Sequence, residues 1–289
     1  MGVCVSTIPF PSFRSQPFKS HKISNIDRLC PEILAEIFLL CLPEDRYVVP
    51  DPKRAPLLVS GICHYWREVS LSTPALWSAL DVPRCTPTIF VHTWLGRAGS
   101  MPLSISFGIR PRETKPALAT FRYVERWQHI RWSYGTSDGA VHDKMWPKVC
   151  TVIAPLLETF EFEADEKIVA KLLEQLNVIL MSTTCLRVYR LRSMLNPCVL
   201  RTPWSRLTEI EVNFDMSAQD CLTMLRQCTK LVRCTVGYIL LHCIHSTCFP
   251  AQSLIFLDHL RSLSIESYTE DLRRIFDHLV SILFSGRHK

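Results

Sequence analysis

LTEIEV, residues 207–212, carries apolar side chains at its first, fourth and sixth positions. From its third residue onward, polar and apolar groups alternate, the period-2 pattern of a strand with one buried face. The same spacing recurs as WQHIRW (127–132), LETFEF (157–162), LRVYRL (186–191), LVRCTV (231–236) and LRSLSI (260–265). Successive starts lie 30, 29, 21, 24 and 29 residues apart. One match would be weak, but six at this spacing make a repeat.

Helical patterns lie between the strands. One places Ile168, Leu172, Leu173, Leu176 and Leu180 on a face. A second follows Ser217, whose spacing to Asp220 is that of a capping box. A third follows Thr269 and carries Leu272, Ile275, Phe276, Leu279 and Leu283. Strand and outer helix repeated with parallel strands predict an α/β (or α+β) solenoid over 127–289. L-x-x-L-x-L is the strand signature of leucine-rich repeats, so this region resembles a short, irregular member of that class.

The pattern also names the face opposite the core. Its first row is Arg131, Glu161, Arg190, Glu211, Thr235 and Ser264, and its second is Ser133, Glu163, Arg192, Asn213, Gly237 and Glu266. If the strands stack in order, Arg131–Glu161–Arg190–Glu211 alternates in sign. Opposite charges on neighbouring strands attract by roughly 0.2–1 kcal/mol per pair. Two readings stay open: the charges satisfy one another laterally, or the first row, on the concave side, selects a target protein. In the second reading the uncharged Thr235–Ser264 end is the softer contact zone.

Upstream, residues 26–80 read as three helices. Pro31–Leu42 opens with proline at the first helical position and Glu32 at the positive end of the dipole. A second helix runs over Ala55–Ser70, with Leu58, Val59, Ile62, Cys63, Trp66 and Val69 on one side. Thr73 is expected to cap a short third that begins at Pro74. Between the first two, the polar, proline-rich Pro43–Lys53 is expected as a surface loop. Residues 81–126 form a connection with the first strands, and 1–25 a disordered tail. Three short helices cannot enclose so many large apolar groups, and a surplus of this kind marks an interface.

LCPEILAEIF (29–38), GICHYWREV (61–69) and STPALWSAL (72–80) together resemble the F-box of fungal F-box proteins. The family pattern is Leu-Pro-Pro-Glu-Ile-Leu with Ile-Phe, then Val-Cys-Arg-x-Trp-Arg, then Thr-Pro-x-Leu-Trp. Here Cys30 stands for the first proline, His64-Tyr65 for a basic residue, and Pro43–Lys53 is an insertion. The resemblance implies that Leu29, Pro31, Ile33, Leu34, Ile37 and Phe38 bind the Skp-type linker of a cullin ubiquitin ligase. Cys63 and Trp66 would extend that surface. The chain would then be a substrate-recognition adaptor whose repeats hold a target protein. A scaffold that uses the same two modules outside any ligase is the alternative.

Composition agrees with a non-catalytic role. The 289 residues are 47% hydrophobic and 21% charged, with a net charge of +6 that no run of like charges concentrates, so nucleic-acid binding is not indicated. The 13 cysteines include no C-x-x-C pair and read as reduced core thiols of a cytoplasmic or nuclear protein. His242, Cys243, His245 and Cys248 crowd together, but their spacing matches no zinc finger, and neither metal nor cofactor is expected. No G-x-S-x-G, P-loop or G-x-G-x-x-G occurs. Met1-Gly2-Val3-Cys4-Val5-Ser6 fits a myristoylation pattern at Gly2 with a palmitoylation candidate at Cys4. Membrane association is expected only if these are acylated.

Overall fold

The computed structural model describes residues 25–109, 114–135, 153–164, 170–213, 216–240, 254–267, 275 and 279–280. Gly2, Cys4, His242, Cys243, His245, Cys248 and most of the stretch after Thr269 lie outside them. The chain divides into two compact units, Met1–Gly108 with Arg112–Tyr123, and Ile109–Pro111 with Val124–Lys289.

In the first unit, α1 spans Pro31–Leu40, with Pro31 at its first turn as expected and Cys41 as its C-cap. The single helix expected over 55–70 is instead two, α2 (Leu57–Ser60) and α3 (His64–Leu71). Gly61 and β-branched Ile62 are poor helix formers. Cys63 then turns extended (φ −151°), and its Sγ accepts the Trp66 N–H at 3.5 Å, which starts a new helix. Thr73 does not cap the 3-10 turn at Pro74–Trp77; its Oγ1 donates back to the Val69 carbonyl at 2.7 Å. The insertion is not simply a surface loop either. Tyr47 and Val48 are buried, and the Val48 carbonyl accepts the Asp81 N–H at 2.8 Å.

The expected boundary at residue 80 also moves. β1 (Ala79–Asp81), α4 (Thr88–Arg97), β2 (Leu103–Ile109) and α5 (Thr114–Thr120) follow, and all but the last residue of β2 belong to the helical unit. The reason is apolar: Phe90, Val91, Trp94 and Leu95 of α4 are buried. Trp94 meets Trp77 edge-on at 5.0 Å and donates its indole N–H to the Ala79 carbonyl at 3.0 Å. The Arg97 guanidinium lies 4.4 Å over the Trp77 ring, a cation–π contact. β1 and β2 pair in parallel, Ala79 opposite Ser104.

The second unit is an open parallel sheet with helices. Its strands are β3 (Trp127–Tyr134), β4 (Thr159–Ala164), β5 (Val188–Ser193), β6 (Glu209–Val212), β7 (Met216–Ser217), β8 (Arg233–Leu240), β9 (Ile255–Phe256), β10 (Ser262–Ser267) and β11 (Leu279–Val280). Their order is β3-β4-β5-β6-β8-β10, with β7 beside β8 and β9 paired to β11, every pair parallel. Parallel neighbours need a crossover. Two are helices: α6 (Ala170–Ser182) before β5 and α7 (Ala218–Gln227) before β8. Between β5 and β6 the chain makes only 3-10 turns, Pro197–Val199 and Trp204–Arg206, which explains the shortest repeat interval. The expected cap on α7 is present: Ser217 Oγ accepts the Asp220 N–H at 3.1 Å.

The repeat's apolar positions form the core. Trp127, Ile130, Trp132, Leu157, Phe160, Phe162, Leu186, Tyr189, Leu191, Leu207, Ile210, Val212, Leu231, Cys234 and Val236 are all buried. Aromatic rings pass from strand to strand: Trp132 meets Phe162 edge-on at 5.8 Å, and Phe160 stacks near Tyr189 at 6.3 Å. Of the last motif only Leu260 is buried, while Leu263 and Ile265 are half-covered. Leu279, expected on a helix, is in strand β11 opposite Ile255.

Candidate functional site

In the helical unit, 3.6 residues per turn sort α1 into two faces. Leu34 and Phe38 point inward and are fully buried. The Phe38 ring sits 4.9 Å from Trp66. These two residues form the unit's own core, a correction to their expected place on a partner-facing surface. Ile33, Ile37 and Leu40, at i, i+4 and i+7, make the opposite row. Ile33 is 51% exposed and Leu40 86%, with Ile37 half-covered between them. Pro31 is exposed, and Leu29, Cys63 and Trp66 are half-exposed. The Tyr65 hydroxyl donates to the Leu29 carbonyl at 2.8 Å and ties α3 to the head of α1.

Sequence reasoning did not single out the exposure of Leu40 on α1, Leu58 on α2 and Ile62 just after it. Leu40 continues the Ile33–Ile37 row one turn further and was readable from helical spacing. Leu58 (45% exposed) and Ile62 (52%) fall on the buried side of an unbroken helix, and the break at Gly61–Cys63 turns them outward instead.

In the sheet unit, the expected first row is in register: Arg131, Glu161, Arg190, Glu211, Thr235 and Ser264 are successive partners across β3 to β10. Ser133, Glu163 and Arg192 align likewise. The second row breaks at its end. Glu266 pairs with Tyr238 rather than Gly237, because the register slips by one residue after Ile265. A β-bulge at the side-chain-free position absorbs the extra residue.

The charges do more than alternate. Arg131 Nε donates to Glu161 at 2.8 Å, and Arg190 reaches Glu161 at 2.7 Å, Glu209 at 2.6 Å and Glu211 at 3.3 Å. Arg192 binds Glu211 at 2.9 Å and Arg233 binds Glu209 at 2.6 Å. Arg190 is therefore a hub for three carboxylates, each shared with a second guanidinium. Glu209 and Arg233 were overlooked, although strand alternation puts Glu209 on the same face as Glu211.

Burial shapes the electrostatics. At Glu209 desolvation disfavours the charge, but hydrogen bonds from Arg233 and Arg190, with their positive charges, overcome it and hold the carboxyl below its usual range. Desolvation likewise opposes the Arg190 charge, and Glu209 and Glu161 outweigh it, so that this guanidinium is held above its usual value.

Among the described cysteines the reading as core thiols holds for three only; Cys30, Cys41, Cys85, Cys185 and Cys198 are exposed and Cys63 is half-exposed, a correction to it. Cys221, Cys228 and Cys234 are buried, and burial first, then neighbouring thiols, raise them, Cys228 and Cys234 to about 12. Such thiols stay protonated and are poor nucleophiles. Among the described residues no group of His, Cys, Asp or Glu is arranged to hold a metal ion, and no helix is long and apolar enough to cross a membrane.

No protein-family model, no curated protein and no solved structure matches the chain.

Proposed function

We propose that this protein is a substrate-recognition adaptor of an SCF-type ubiquitin ligase. Its helical unit would be an F-box that docks on the Skp-type linker and, through it, on a cullin. Its sheet unit would be a short leucine-rich-repeat-like solenoid that holds a target protein. The observation that carries the reading is the outward apolar row on α1, Ile33–Ile37–Leu40, whose Leu40 is 86% exposed. That row lies within and just beyond the first of three motifs that follow one another in F-box order, at 29–38, 61–69 and 72–80.

The adaptor itself makes and breaks no bonds. It raises the local concentration of target beside the conjugating enzyme, a gain from proximity. Leu34 and Phe38 serve by holding α1 against α3, and Ile33, Ile37, Leu40 and Pro31 serve by contact. The setting would be cytoplasmic or nuclear, with acylation at Gly2 and Cys4 the one route to a membrane.

Co-expression with a Skp-type linker tests this. The unaltered chain should co-purify with the linker, and Ile33→Asp/Leu40→Asp should not while remaining folded. A soluble chain that forms no complex, or a complex indifferent to the double change, would sink the ligase reading.

A further inference from the structure

The ladder on the sheet's open face is not symmetric in depth. Its carboxylates lie low, with Glu161, Glu209 and Glu211 only 12%, 18% and 24% exposed. The outer guanidiniums lie high, with Arg131, Arg192 and Arg233 at 44%, 51% and 67%. Over these six residues a molecule meets guanidiniums before carboxylates, while Glu163, beside Arg192, is an exposed carboxylate on the same face.

Two of these cations keep unused donors. Arg192 gives its Nε and Nη2 to the same oxygen of Glu211, and Arg233 gives its Nε and Nη2 to the same oxygen of Glu209. The Nη1 of each makes no hydrogen bond among the described residues. The exposed carboxylate in register beside Arg192, Glu163, makes no ion pair among the described residues, since Arg192 turns to Glu211 instead. Away from Glu209, on the β10 side, the neighbours of Arg233 are small and uncharged: Thr235, Ser262 and Ser264.

The spacing sets a ruler. Val188, Glu209 and Arg233 share one register row, so Arg192 and Arg233 differ by two strands and by four residues along the strand. With strands about 4.8 Å apart and a rise of about 3.3 Å per residue, their backbones lie about 16 Å apart. Side chains of an extended segment alternate faces, so the nearest same-face spacing is four residues, about 13 Å, and the long arginine side chains span the rest.

We infer that the open face of the sheet binds an extended acidic segment of a partner protein, with carboxylates four residues apart, on one side of the segment, taken by Arg192 and Arg233. This deepens the adaptor reading by naming the chemistry of the target, and it rests on that reading for calling the segment a target. The ion pairs beneath hold the guanidiniums in place, so little side-chain freedom remains to be lost on binding.

Fluorescence anisotropy with the full chain and a labelled serine-rich peptide that carries two aspartates four residues apart tests the inference. The peptide should bind, more weakly as salt rises, and a counterpart with asparagine in place of both aspartates should bind about tenfold less well, as two half-exposed charge pairs imply. Arg192→Gln/Arg233→Gln should show the same loss, whereas Lys230→Gln, a single-charge control at an exposed site, should not. Equal binding of the two peptides, no binding of either, or a loss as large in Lys230→Gln would overturn the inference. The peptide comparison uses the unaltered chain, so it stands even if the double variant fails to fold. Linker co-purification in the same preparations separates the claims: peptide binding without linker binding sinks the ligase alone, and the reverse sinks the acidic-segment inference alone.

Discussion

The outward row of α1 and the charged face of the sheet are opposite kinds of surface. On α1, Ile33 and Leu40 are exposed among the described residues. On the open face of the sheet, four arginines and three glutamates satisfy one another across β3 to β8. An exposed apolar row gains most from a partner, because burial yields about 25 cal/mol per Å². A self-satisfied charge network gains little affinity from one and is better suited to choosing between partners. On the proposed reading, the first would serve assembly and the second discrimination.

Substitutions can break that contrast at several depths. The largest effect is expected in the sheet core. Phe160 is fully buried between Phe162 and Tyr189, and Phe160→Ala should cost about 3–5 kcal/mol in chemical denaturation. Arg190→Met removes the hub, yet each carboxylate keeps a second guanidinium, so a loss of about 1–2 kcal/mol is expected. A loss of less than a few tenths would mean that the network contributes nothing to stability. Ser217→Ala, which removes the cap on α7, should cost about 1 kcal/mol. Ile33→Asp/Leu40→Asp should change stability least, within about 0.5 kcal/mol per site, because both side chains already face water. A large drop there would show that the row packs on something within the chain.

Acid sharpens the same comparison. Glu209 is held below its usual range when folded, so its contribution is complete above the unfolded value of about 4.3. It is lost as pH falls through the lower, folded value. Melting temperatures should therefore decline below about pH 4. Arg233→Gln should flatten that decline by bringing the folded value back toward the unfolded one. An unchanged pH profile would remove Glu209 from the account.

The sheet was the more legible unit because alternation with period 2 records burial directly. Six apolar triplets marked β3, β4, β5, β6, β8 and β10, and the Arg131–Glu161–Arg190–Glu211 register follows because these strands do stack in order, whereas β7, β9 and β11 were not read. The ion pairs to Glu209 and Arg233 were missed because only positions between core residues were considered, and the same alternation continues one step upstream. The Gly237 bulge was not legible, since a slip in register depends on packing of β10 rather than on local pattern.

The helical unit was less legible for a related reason. Apolar spacing marks a helix face but not whether that face looks inward. Leu34 and Ile33 are adjacent in sequence and were grouped together, yet one is core and the other exposed. The break at Gly61–Cys63 rests on a sulfur that accepts a backbone N–H, a capping role that composition does not advertise.

Hydrogen–deuterium exchange on the full chain with and without a Skp-type linker tests the division of labour most directly. Added protection confined to Pro31–Leu40 and the α2–α3 segment, with β4, β5, β6 and β8 unchanged, is the result predicted. Protection centred on the sheet, or no change anywhere at saturating linker, would contradict it.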